Sequence, residues 1–128
     1  MNKLSDETLK KKYEDLHNNF IKGDFKKVIK GCNKVLEKRK NQLFFNLLCI
    51  AYQKIGKIEK SIDVMNEALT FNPNHPDFLN NLGLCFYMLH KFSEAEKHFK
   101  KGLEVDNKHL HILNNLGNLK RETNKIEE

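Results

Sequence analysis

Laid against itself at an offset of 34 residues, the chain repeats its own apolar pattern. Phe45-x-x-Leu48-Cys49-x-x-Tyr52 falls on Leu79-x-x-Leu82-Gly83-x-x-Phe86, and then on Leu113-x-x-Leu116-Gly117-x-x-Lys120. Downstream, Ile58-x-x-Ser61-x-x-x-Met65-x-x-Ala68-Leu69 falls on Phe92-x-x-Ala95-x-x-x-Phe99-x-x-Gly102-Leu103. A fixed period of this size means stacked supersecondary units, each of which buries its apolar face only against a neighbour. Few other folds leave such a trace. With two prolines and six glycines in 128 residues, the chain has too few turn formers for an all-β design.

Within each unit the apolar spacing is that of two amphipathic helices joined by a short turn. Gly56 supplies one turn, because glycine tolerates the left-handed geometry that ends a helix. His90 and Asn124 hold the same place in later units. Asn72-Pro73 closes a unit, and Pro76 sits where a helix starts without losing a needed N–H. The small residues Cys49, Gly83 and Gly117 on first helices are expected to meet Ser61 and Ala95 on second helices. Small side chains there let two helices approach to about 8–10 Å. Gly102, in mid-helix, costs about 1 kcal/mol relative to Ala and so needs a close-packing reason.

These residues resemble the tetratricopeptide repeat family: large–x–x–Leu–Gly–x–x–Tyr, then Ala, Phe, Ala-Leu and Pro at period 34. The units run from 42 to 75 and from 76 to 109, with a partial unit over 110–128 and a divergent one over 5–41. In the divergent unit Gly23-Asp24-Phe25, Val28, Cys32, Val35 and Leu36 fit a second helix. Tyr13, Leu16 and Phe20 fit a first helix only after a one-residue slip. The resemblance implies a single all-α domain, a right-handed superhelix (α-solenoid) of antiparallel helix pairs with about seven helices. The last first-helix has no partner, since few residues follow Asn124. The chain is therefore expected to be the N-terminal part of a longer protein, or to self-associate through its uncapped repeat.

The family binds partner segments on a concave groove lined by first helices. By resemblance the groove positions are Leu43, Asn46, Leu47, Ile50, Gln53 and Lys54 in one unit, and Asp77, Asn80, Asn81, Leu84, Tyr87 and Met88 in the next. The last unit supplies His111, Asn114, Asn115, Asn118, Arg121 and Glu122. Asn81 and Asn115, 34 apart, resemble two rungs of the asparagine ladder of some family members. An amide offers both donor and acceptor and so grips a peptide backbone without reading its side chains. Leu47 interrupts that ladder. The chaperone-binding carboxylate clamp is a sharper subtype that needs Lys and Arg over three first helices. In one register this chain offers Asp77 and Asn81 at the last clamp positions, and in the other His111 and Asn115. The clamp is absent in both.

No catalytic constellation is present: no nucleophile elbow, no phosphate-binding glycine loop, no zinc-protease helix. His109 and His111 stand two apart and point to different faces of a helix, so they do not converge on a metal ion. His17, His75, His90 and His98 read as surface or loop residues. Cys32, Cys49 and Cys85 form no CxxC pair, and three widely spaced cysteines fit a reducing, cytoplasmic setting rather than a disulfide framework. No apolar run reaches the ~20 residues of a membrane span.

The net charge of +6 is confined to one place. Residues 1–41 carry 12 Lys and Arg against 6 Asp and Glu, and the remainder is neutral. Such an excess attracts RNA, anionic lipid or an acidic partner. Tyr13, Phe20 and Phe25 fall on the apolar stripe and read as core rather than base-stacking platforms. The expected function is thus a non-enzymatic scaffold, without cofactor or metal, that binds a protein or peptide segment. The alternative is a substrate-positioning or assembly domain of a larger glycosyltransferase- or sulfotransferase-like enzyme. RNA binding through the basic first unit ranks third.

Overall fold

The computed structural model describes residues 4–127, and these form seven α-helices joined by short turns, with no strand among them. They are α1 (Asp6–Ile21), α2 (Phe25–Lys38), α3 (Gln42–Lys54), α4 (Ile58–Phe71), α5 (Pro76–Met88), α6 (Phe92–Val105) and α7 (Leu110–Glu127). Contacts divide them into two compact units, one ending at Val64 and one beginning at Met65.

Local chemistry sets the helix starts. Ser5, Asp24 and Asn41 each accept a hydrogen bond from the first turn of α1, α2 and α3, satisfying a backbone N–H that has no helical partner. Pro76 stands at the start of α5, as its fixed φ and missing N–H suit it to do. Gly56 turns between α3 and α4 at φ +80°, where a Cβ would be strained. His90 makes the equivalent turn at φ +61° without glycine's freedom. That conformation typically costs a side chain about 1–2 kcal/mol, and the His90 ring offsets some of it by packing edge-on to Phe92 at 5.5 Å. Asn124 makes no such turn. Helix α7 continues through it to Glu127, since Asn keeps its backbone N–H and does not by itself break a helix.

In the first unit, Val28, Cys32, Val35 and Leu36 of α2 are buried, as are Phe44, Phe45, Leu48 and Cys49 of α3. The hydroxyl of Ser61 donates to the Cys49 carbonyl at 2.8 Å, so the expected meeting of small residues occurs there as a buried hydrogen bond. The displaced stripe of α1 is resolved by an exchange of size. Leu16 projects into the space beside Gly31 of α2, where an added Cβ would collide with it. In the α5–α6 pair the small residue, Gly83, belongs to the first helix and the large one, Phe99, to the second; in α1–α2 the roles are reversed.

In the second unit, Ala95, Phe99, Ile112, Leu116 and Leu119 form the core, with Phe86, Tyr87, Phe92 and Leu103 packed against it. Gly83 makes room for Phe99 rather than for Ala95: a Cβ at Gly83 would lie 2.6 Å from the Phe99 ring. Gly102 has its close-packing reason in Ile112, whose Cδ1 would stand 2.5 Å from an added Cβ. Gly117 repeats the position of Gly83, yet nothing lies within 4 Å of where its Cβ would be.

Candidate functional site

Helices α5 and α7 of the second unit pack against one another, and most of the expected groove residues lie on them. Two polar contacts join the pair. The Asn115 side-chain amide donates to Asn80 Oδ1 at 2.9 Å. His109 Nε2 lies 2.6 Å from Asp77 Oδ1. His109 Nδ1 accepts from the Ile112 backbone N–H at the start of α7, so the proton left at Nε2 donates to the carboxylate. One ring thereby caps a helix and ties it to its neighbour. His75, 34 residues earlier, caps α5 in the same way through the Asp77 N–H and stacks on Phe78 at 4.2 Å. These histidines were not among the expected site residues; their matching places in the repeat were the available signal.

Exposure sorts the remaining positions. Asn80 and Asn81 are both buried, each 8 % exposed, while Asn115 is half-buried. The lateral bond between repeats therefore runs from Asn115 to Asn80, at a spacing of 35, rather than to Asn81 at 34. It uses one donor of Asn115 and one acceptor of Asn80. Leu84 and Tyr87 are half-buried, and Met88 is exposed at 42 %. Asp77, His111, Asn114, Asn118 and Arg121 are exposed, and Arg121 reaches back to hydrogen-bond Asn118. The surface thus pairs apolar anchors at the end of α5 with a row of amides on α7.

The first unit has its own share. Asn46 and Ile50 of α3 are half-buried and Lys54 is exposed. Leu43 and Phe44 of α3, with Leu9 and Tyr13 of α1, line a recess of about 450 Å³ whose polar members are Asp6, Lys10, Glu14 and Asn41. Tyr13 meets Phe44 edge-on at 5.7 Å. The one-residue slip of α1 obscured this contribution in the sequence.

Among the described residues no group of His, Cys, Asp and Glu is placed to hold a metal ion. All three cysteines are buried and none is in a disulfide, and burial pushes the Cys32 thiol up to about 12, far from a reactive thiolate. No helix of the described residues is long and apolar enough to cross a membrane.

Comparison with known proteins bears on the family and the fold. Residues 10–119 match the family described as Psidin, N-terminal TPR repeats region. Heat shock protein STI1 of Saccharomyces cerevisiae is 28% identical over 89 residues, which is 68% of this chain and 15% of STI1. Among solved structures, the TPR domain of Sgt2 from Aspergillus fumigatus aligns with a TM-score of 0.83 at 18% identity, covering 92% of this chain and 80% of that one. PcrH of Pseudomonas aeruginosa, in complex with the chaperone binding region of PopD, aligns at 0.82 and 18% identity over 98% of each chain. At such identities the likeness concerns the fold.

Proposed function

The chain belongs to the tetratricopeptide repeat family, and from the geometry of α5 and α7 we propose that it is a non-enzymatic scaffold that holds a segment of a partner protein. The observation that carries the proposal is the amide pair Asn115–Asn80, which stands beside the apolar anchors Leu84, Tyr87 and Met88. Desolvated anchors of this kind supply affinity, and amides with unspent donors and acceptors fix the partner's backbone. PcrH, a structural neighbour, is seen with a segment of its partner PopD. The proposed partner is not a chaperone tail held by a cationic clamp, because Asp77 and Asn81, or His111 and Asn115, stand where Lys and Arg are needed. Buried cysteines outside any disulfide support a cytoplasmic, reducing setting.

The test is a peptide selected against the chain from a displayed random library. Replacing Asn115 by Ala is expected to weaken its binding by about tenfold, roughly the worth of one hydrogen bond left unmade, while helicity by circular dichroism stays the same. An unchanged dissociation constant contradicts the assigned role of the amide pair.

A further inference from the structure

A second recess lies in the first unit, on helices that contribute none of the residues of α5 and α7. It has a volume of about 370 Å³ and is lined by Leu4, Leu16, Gly31 and Val35 below and by Lys12, Lys34, Lys38 and Asp15 at its edge. Lys12 and Asp15 come from α1, and Lys34 and Lys38, one turn apart, from α2. The end of the recess is built in place. Arg39, at the close of α2, donates to the Leu4 carbonyl at 3.0 Å and pairs with Asp6 at 2.8 Å, which fixes Leu4 against the hairpin. The Gly31–Leu16 exchange sets its floor. None of Lys12, Lys34 and Lys38 is held in an ion pair among the described residues, and all three are exposed.

From these features we infer that the α1–α2 recess is a second docking site, for an acidic peptide segment that carries an aliphatic anchor. Three ammonium groups around an aliphatic floor match a side chain such as leucine flanked by carboxylates, and the charge steers the encounter. Asp15 adds a hydrogen-bond acceptor at the edge, which a peptide backbone N–H meets. RNA is disfavoured by the lining, which contains no aromatic ring or Arg plane on which a base could stack. The recess also gives a place to the charge asymmetry of the chain, since the whole +6 excess lies in residues 1–41.

The experiment uses the full 128-residue chain and a fluorescein-labelled peptide of alternating glutamate and leucine. The comparison probes are a serine–leucine peptide, oligouridylate, and vesicles of phosphatidylcholine with phosphatidylserine. Saturable binding of the acidic peptide is expected in low salt. It should weaken at least tenfold in the variant Lys12→Glu/Lys34→Glu/Lys38→Glu and severalfold in Leu4→Ser, with Asn115→Ala unaffected. Should the charge-reversal variant lose helicity, Lys12→Gln/Lys34→Gln/Lys38→Gln takes its place. The inference is overturned if the acidic peptide does not bind or binds the lysine variants equally well. It is likewise overturned if the serine–leucine peptide binds as tightly, or if oligouridylate or the vesicles bind more tightly. A site shared with α5 and α7 would show itself by sensitivity to Asn115→Ala and would also overturn it.

Discussion

His98 stands on α6 with its ring stacked on Phe86 at 5.3 Å and its Nδ1 buried without a hydrogen-bond partner. Burial lowers its pKa; Glu94 opposes the shift, and Lys97 and Lys101 add to it. The neutral ring is thus the form that fits the fold. In the unfolded chain the ring takes up its proton near pH 6.5, so below that pH the unfolded state binds more protons and stability falls as the pH falls. Urea midpoints at pH 7.5 and 5.5 check this. The wild-type chain should lose more stability between the two than His98→Phe, which keeps the stacking and cannot be protonated. Equal losses would contradict the assignment. Nothing in the sequence distinguished this histidine, because its place next to Phe99 in α6 says nothing of what the opposite ring edge will meet.

The two matched glycines Gly83 and Gly117 show how helices, rather than single residues, decide the effect of a change. A methyl at Gly83 meets the Phe99 ring, so Gly83→Ala is expected to cost about 1–3 kcal/mol through overpacking. At Gly117 the same methyl meets nothing, and Gly117→Ala should stabilise α7 by about 0.5–1 kcal/mol through helix propensity alone. Thermal or urea unfolding of the two variants reads the opposite signs directly. The helices themselves were legible, since apolar spacing, caps and Gly56 all follow from local rules. What escaped were features that need a neighbour in space. The exchange of Leu16 for Gly31 and the bond from Asn115 to Asn80 rather than Asn81 are of this kind. A repeat offset finds equivalent positions at 34, but contacts between the helices fall at other spacings, 35 for Asn115–Asn80 and 32 for His109–Asp77.

Over the whole chain, two surfaces of different chemistry follow from the distribution of residues. The recess of α1 and α2 is cationic and aliphatic, whereas the face of α5 and α7 is amide-rich and, apart from Asp77, Arg121 and Glu122, carries little charge. Repeat folds suit this division, because each unit's surface is set by its own residues while the buried positions keep the pattern. The family was evident from the period; the amide pair was only partly so, because Asn80 and Asn115 become a pair through packing alone. The central claim, that α5 and α7 hold a partner segment, is tested most directly by backbone amide chemical-shift mapping of the display-selected peptide on the isotope-labelled chain. Shifts concentrated at Asn80, Leu84, Tyr87 and Met88, with Asn115 and Asn118, are the predicted result. A map confined to α2 and α4, with α5 and α7 unmoved, would contradict it.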